Sequence, residues 1–422
     1  MLAFITGILS TPAFILGIIA AVGLAALRKS SSDIIKGTLK TIFGFIMLQQ
    51  GSSIIVSSLV PFSQMFENAF KLTGVIAEDN AIAAAVQTVL GTETSLILVF
   101  GFIINVILAR VTKWKYIFLT GHMMFSFAAT MAILFDQMGI NGWQAIALGS
   151  LIQGLASVIF PAMAQPFVRK VTNNDSVGFG FWGSSLVWFS GWVGGKLGNK
   201  EHSTETMNVP KQLDFLKEMS ILMGLVMSVI YLITSVFVSP KLMNELAGGQ
   251  SIPLFAIMQA FTFVVGILIL LQGVRMFLGE LVPAFKGISE KLVPGAKPAL
   301  DVPVFYSFAP TATTIGFLFA VLGGLLATLV STMLPVVVLP SVIGLFFMGG
   351  AAGVFGNAMG GRRGAVIAGF VLGFLFQMIV AVAYPILDLS GYGISGLWFA
   401  STDAIIVVVI VRLIGTLFGI GI

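Results

Sequence analysis

Three side chains able to do chemistry stand in an otherwise apolar chain: Asp79, Asp301 and His122. Asp79 opens the stretch Asn-Ala-Ile-Ala-Ala-Ala-Val-Gln-Thr-Val-Leu-Gly (80–91), and Asp301 opens Val-Pro-Val-Phe-Tyr-Ser-Phe-Ala-Pro-Thr-Ala (302–312). A carboxylate so placed can accept hydrogen bonds from solute hydroxyls. It can equally cap the half-helix that follows, whose N-terminus favours an anion, and the two roles are compatible. His122 lies in Leu-Thr-Gly-His-Met-Met-Phe. An imidazole there can donate to a ligand oxygen or bond a neighbouring helix carbonyl. Gln50 and Gln272 each precede a glycine. Their amides suit a hydroxylated solute or a bond between helices. Arg275 and Glu280 read as an interfacial pair or as snorkelling side chains. Cysteine is absent. No Ser/His/Asp set, phosphate-binding loop or paired carboxylate motif is visible, and nothing stands at metal-ligand spacing from His122. These residues point to binding and passage of a solute, with no cofactor and no metal.

The elements that must position them are membrane helices. The 422 residues are 57% hydrophobic and 9% charged, and the mean hydropathy is +1.04. A soluble domain carries roughly 25% charge, so soluble enzymes, nucleic-acid binders and disordered scaffolds are excluded. The apolar runs are too long and unbroken for a transmembrane β-barrel. The expected fold is an all-α polytopic membrane protein with eleven transmembrane spans: 3–26, 37–60, 94–110, 116–138, 142–165, 219–238, 252–279, 314–334, 335–352, 364–384 and 399–421. Nothing basic precedes the first run, so it is read as a retained span rather than a signal peptide. With the N-terminus outside, nineteen lysines and arginines fall on the inner side and only Lys71 and Lys241 on the outer. The net charge of +5 therefore reports topology, N-out and C-in.

The stretches 80–91 and 302–312 are too short to cross a bilayer and read as re-entrant half-helices. The Gly/Ser/Trp-rich stretch 177–195 is a third candidate dip. An internal repeat relates the first two. Sliding the chain by 222 residues brings Gly44, Leu48, Gln50, Gly51, Leu59, Val60 and Pro61 onto identical residues in 266–283, and Asp79 onto Asp301. Five spans per copy require the second copy to be inverted. The expected organisation is a first inverted repeat at 1–165, a cytoplasmic connecting segment at 166–218, a second repeat at 219–384 and a final transmembrane helix at 385–422. Inverted repeats with broken elements at matching positions mark alternating-access transporters, with the solute near the breaks. Two mechanisms stay open at this point. One is group translocation. The other is a proton- or ion-coupled secondary transporter, with Asp79, His122 or Asp301 as the coupling group. An intramembrane enzyme or receptor is disfavoured by the missing catalytic set.

Several segments resemble a known family. They are Leu27–Ser52, then Thr120-Gly-His-Met-Met-Phe125, then the run from Gln272 through Pro294-Gly-Ala-Lys-Pro-Ala-Leu-Asp301, and Tyr306-Ser-Phe-Ala-Pro310. Together they are similar to the ascorbate-type EIIC permeases of the bacterial phosphoenolpyruvate-dependent sugar phosphotransferase system. The resemblance implies a homodimer in the bacterial inner membrane, embedded in lipid. A mobile core would move against a scaffold like an elevator. The phosphoryl transfer would be performed with cytoplasmic EIIB, supplied by EIIA, and not by this chain. Carried over position by position, it assigns solute contacts to His122, Met123, Met124, Phe125, Ser126 and Asp301, and to Asp79 and Asn80 by region rather than identity. Ser126 replaces a side-chain amide of ascorbate-transporting members. Phe181 and Trp182 stand after Gly180 where the family commonly shows Gly-His, so the pocket is expected to differ there. A ring-stacking role or a packing role for Trp182 fits equally well.

Overall fold

A computed structural model describes residues 12–71, 74–207, 212, 215–216, 218–306, 308–417 and 419. The start of the first expected span (3–11), the end of the last (420–421), Lys211, Lys217 and Ser307 lie outside the described residues.

The chain opens with α1 (Pro12–Ala26) and α2 (Ser31–Phe70), then β1 (Gly74–Ala77) and α3 (Asp79–Val111). Next come β2 (Tyr116–Phe118), α4 (Gly121–Gln137), α5 (Trp143–Thr172), β3 (Gly178–Phe179) and α6 (Ser184–Leu197). The second half runs α7 (Met219–Phe237), α8 (Pro240–Ala247), α9 (Ile252–Leu292), β4 (Lys297–Leu300), α10 (Pro303–Tyr306) and α11 (Pro310–Ser331). It ends with β5 (Val337–Leu339), α12 (Val342–Ala383), β6 (Leu397–Trp398) and α13 (Thr402–Leu417).

Among the described residues six helices have the length and apolar composition to cross a membrane. The expected dips and two of the expected spans take other forms. The stretch 80–91 is the first part of α3, which continues through non-helical dihedrals at Leu90 (φ −120°, ψ 31°). The stretch 302–312 divides into α10 and the start of α11. Span 335–352 divides into β5 and the first half of α12, and span 364–384 falls in the second half, beyond the break at Gly360 and Gly361. Gly361 has φ +61°, and a Cβ there would sit 2.1 Å from the Asn199 carbonyl oxygen, so only glycine fits the break. The expected dip 177–195 is β3 followed by the short α6.

Two bodies are visible in the packing. In one, the long helices α2 and α9 pack along each other, with α1 and α7 against them. They approach closely at Gly266, where a Cβ would lie 2.9 Å from the Ile55 backbone nitrogen. The Tyr231 hydroxyl donates to the Ser58 carbonyl and ties α7 to α2. In the other body α3 packs on α4 and α5, and α12 packs on α11 and α6. Large side chains such as Val236, Leu329 and Met333 are left exposed. Water would oppose so much apolar surface, whereas lipid accepts it.

Within the second body lie two parallel three-stranded sheets, ordered β5-β1-β6 and β2-β4-β3. Gly74, Val75 and Ile76 pair with Val337, Val338 and Leu339, while Ile76 and Ala77 pair with Leu397 and Trp398. In the other sheet Tyr116, Ile117 and Phe118 pair with Lys297, Pro298 and Ala299, and Gly178 and Phe179 pair with Ala299 and Leu300. Strand edges away from water must find internal partners. Asn105 of α3 supplies them for β2, donating to the Tyr116 carbonyl (3.0 Å) and accepting from the Phe118 N–H (2.9 Å). Thr328 and Ser331 of α11 do the same for β5, at the Val338 carbonyl (2.8 Å) and N–H (3.1 Å). Gln377 of α12 adds a bond to the Leu339 carbonyl.

Candidate functional site

Each of the six strands leads through a short turn to a helix N-terminus. Helix N-termini present unpaired N–H groups, and they need acceptors when buried. The sequence supplies carboxylates. Glu78 caps its own helix, accepting from the Ala81 N–H at 2.5 Å, and the Asn80 side chain donates to its other oxygen at 3.1 Å. Asp79, only 5% exposed, reaches across to the turn before α13. One of its oxygens accepts from the Ala400 N–H (2.8 Å) and the other from the Ser401 hydroxyl (2.5 Å). Asp403, fully buried, in turn accepts from the N–H groups of Ser184 (2.8 Å) and Ser185 (3.1 Å) and from the Ser185 hydroxyl, capping α6. Glu205 accepts from the Thr311 and Ala312 N–H groups at the start of α11.

Helix α4 is different. Its N-cap, Thr120, makes no side-chain capping bond, and the Thr120 hydroxyl has no partner. His122 is 8% exposed, and its Nδ1 atom is buried without a hydrogen-bond partner. That atom lies 3.8 Å from an Asp301 oxygen, too long for a direct hydrogen bond. The other Asp301 oxygen accepts from the Val302 N–H at 2.7 Å. The Asp301 side chain keeps 33% exposure.

A small cavity opens at this junction. Its polar lining includes Glu78, Asp79, Asn80, His122 and Ser401. Met123, Phe181, Ile343, Phe347 and Met348 form apolar walls. Of the expected site residues, Asp79, Asn80, His122, Met123 and Phe181 line this cavity; Asp301 is not among the lining residues but has an oxygen 3.8 Å from His122 Nδ1.

The remaining expected residues lie behind that wall. Met124 is buried, and the Phe125 ring meets Phe45 of α2 edge-on at 5.5 Å. The Ser126 hydroxyl donates back to the His122 carbonyl at 3.0 Å. Trp182 is fully buried, its ring stacked on Phe118 at 4.3 Å and pressed by Phe127 at 4.6 Å. Its Nε1–H donates to the Met123 carbonyl at 2.7 Å. Trp182 thus offers no free ring face and holds the first turn of α4 in place. Gln50 and Gln272 are exposed on α2 and α9, away from the cavity.

Sequence reasoning missed Glu78, Ser401 and Asp403. For Glu78 and Asp403 a signal was present, since an acidic residue beside or inside an apolar run needs a partner. For Ser401 none was, because a serine in a membrane segment is commonplace.

A separate polar cluster sits on the α5–β3 loop. Asp175 accepts from Lys297 (2.7 Å), Arg169 (2.7 Å) and Gln165 (2.8 Å). The Lys297 ammonium foremost, then the Arg169 guanidinium and the Gln165 amide, hold its carboxyl well below the usual carboxylate range.

Comparison with known proteins agrees with the resemblance seen in the sequence. A family model described as EIIC-GAT, PTS system sugar-specific permease component, matches residues 7–403. An ascorbate-specific PTS system EIIC component of Mycoplasma pneumoniae is 30% identical over an alignment covering 90% of this chain. The alignment spans 66% of that relative's length. A buried, helix-terminated cavity in a strongly apolar chain, matched to this family along nearly its whole length, leads to one conclusion: the chain belongs to the sugar-specific permease components, EIIC, of the phosphotransferase system.

Proposed function

We propose that this chain carries L-ascorbate or a related small hydroxylated solute through the bacterial inner membrane for phosphorylation by cytoplasmic EIIB. The observation that carries the reading is the cavity where strand–helix turns from both halves of the chain converge, with His122 Nδ1 unpartnered beside Asp301. Asp301, His122 and Asn80 hold the solute. Asp79 contributes by fixing the turn before α13, since both its oxygens are already engaged. The open N-terminus of α4 adds a positive field.

The body containing α3–α6 and α10–α13 moves against the α2–α9 pair, giving alternating access. Inverted repeats underlie this. Shifted by 222, α2 covers 253–292, against the observed Ile252–Leu292 of α9. Exchanging β1, β2 and β3 for β4, β5 and β6 turns one sheet's order into the other's. In this reading β3–α6 pairs with β6–α13, so each repeat extends past the expected boundaries at 165 and 384. The protein works as a homodimer, N-terminus outside and C-terminus inside, and receives phosphoryl groups only through EIIA and EIIB.

The test is the chemical form of labelled solute inside cells expressing the chain, with and without its EIIB. Phosphorylated product that disappears without EIIB is the expected result. Concentrated, unmodified solute in the absence of EIIB would refute group translocation and favour a proton- or ion-coupled carrier using Asp301 and His122.

A further inference from the structure

A second recess, away from the cavity at the strand–helix turns, runs between the two bodies. Phe62 of α2 and Val321 of α11 line it as buried residues, and Ile233 of α7 with Leu325 and Leu329 of α11 stand exposed at its rim. No described lining residue carries a charge. The hydroxyls of Thr234, Thr328 and Thr332 donate back to the carbonyls of Ile230, Gly324 and Leu329, so the walls present hydrocarbon. The rim continues onto the exposed apolar surface. Ile233 and Val236 are three positions apart on α7, and Met333 follows Leu329 by four. That surface accepts lipid, so the occupant of the recess enters from the membrane.

The chemistry changes at the end of α2. Phe70 lines the recess, and the next residue, Lys71, lines a polar hollow with Gln64, Glu67, Asn68 and Leu242 of α8. The Phe70 ring lies 5.8 Å from that of Phe237, the last residue of α7. The Ser239 N–H donates to the Asn68 side chain at 2.8 Å, which ties the α7–α8 turn to α2 and fixes the wall of the hollow. The hollow therefore holds one base and one acid, four positions apart. Both side chains are exposed, and neither joins an ion pair among the described residues. A phospholipid complements this arrangement. Its acyl chain suits the apolar recess, and a headgroup with a phosphate and a primary ammonium suits Lys71 and Glu67. A purely anionic headgroup would meet Glu67 as like charge.

We propose that this recess binds one zwitterionic phospholipid of the phosphatidylethanolamine class. Its chain lies between α7 and α11, its phosphate on Lys71 and its ammonium on Glu67. The chain touches α2 and α7 of one body and α11 of the other, so the lipid stabilises the arrangement of the two bodies in which the recess exists.

The experiment titrates the full-length chain in maltoside micelles with dioleoyl-phosphatidylethanolamine or dioleoyl-phosphatidylglycerol and counts retained lipids by native mass spectrometry. The first ethanolamine lipid should bind about fivefold more tightly than the glycerol lipid, the equivalent of one exposed ion pair. Glu67→Gln should abolish that preference and leave binding itself. Leu325→Trp fills the recess and should weaken both lipids about tenfold, with loss of the rise in melting temperature that the ethanolamine lipid gives the wild type. Position is read separately from tryptophans introduced by Ile233→Trp, at the rim, and Phe100→Trp, on the exposed face of α3. Quenching by an ethanolamine lipid with brominated chains should outlast dilution into unbrominated micelles at the rim and vanish on α3. Equal affinities, a preference unmoved by Glu67→Gln, or quenching lost equally fast at both positions would each overturn the proposal. So would a lipid-free dimer that Leu325→Trp dissociates, since a second copy would then fill the recess. None of these readouts uses the solute cavity, so they stand or fall apart from the transport reading.

Discussion

Removing the Ser401 hydroxyl should destabilise the protein through Asp79 alone. In the wild type Asp79 is 5% exposed, and its oxygens accept from Ser401 Oγ at 2.5 Å and the Ala400 N–H at 2.8 Å. Ser401→Ala leaves one buried carboxylate oxygen without its hydroxyl donor. Hydrogen bonds to a charged group contribute about 1.5–3 kcal/mol, so a loss of about 2 kcal/mol is expected. Asp79→Ala removes the carboxylate and strands the Ala400 N–H, at an expected cost of about 3–5 kcal/mol. Once Asp79 is gone, the Ser401 hydroxyl has nothing to hold. In that background Ser401→Ala should cost less than about 0.5 kcal/mol, which makes the coupling about 1.5–2 kcal/mol. Equilibrium unfolding in mixed detergent micelles measures all four corners of the cycle, with the six tryptophans as the signal. Strictly additive losses would show that Asp79 does not anchor the turn before α13, and its role would revert to direct solute contact.

His122→Ala and Asp301→Asn should each lower solute uptake by about 10–100-fold, the equivalent of one lost charge-assisted hydrogen bond, with normal insertion on membrane fractionation. Uptake at wild-type level in a well-inserted Asp301→Asn variant would remove that residue from the site. Gly361→Ala should cost about 2–3 kcal/mol of stability, because alanine cannot adopt φ +61°, ψ −152° and its Cβ would strike the Asn199 carbonyl. A melting temperature equal to wild type would refute that account of the α12 break. Asp175 tests the loop cluster through pH. Its carboxyl is depressed in the folded protein, so its contribution is complete above the ordinary carboxylate pKa of about 4 and is lost as pH falls through the folded value. The difference in melting temperature between wild type and Asp175→Asn should be the same at pH 8 and pH 6, and shrink only below about pH 4. With the Asp175 side chain 48% exposed, it should also fall in high salt. A difference that vanishes between pH 8 and 6 would contradict the assignment.

The apolar fraction and the long uncharged runs determined the membrane class, because no soluble surface can be made from them. The offset of 222 is itself a sequence property, setting Gly44–Pro61 against Gly266–Pro283 and Asp79 against Asp301. The stretches 80–91 and 302–312 were legible as short apolar segments after an acid, and His122 as an isolated imidazole. Strands of two to four residues were not legible, since period-two alternation needs a longer run to show. Nor could sequence tell a full span from half of a broken helix, as at 335–352 and 364–384, because hydropathy is blind to the dihedrals of Gly361.

Tertiary structure alone decided which carboxylate is spent on the fold and which is open. Asp79 and Asp301 look alike in the sequence. They differ because the Ala400 N–H and the Ser401 hydroxyl engage both oxygens of one, whereas the other accepts only from the adjacent Val302 N–H. Trp182 likewise became packing once Phe118 covered its face. Hydropathy and spacing are properties of neighbours along the chain, and they set where the helices run. Hydrogen-bond satisfaction away from water is a property of neighbours in space, and residues more than 300 positions apart in the chain supply it here.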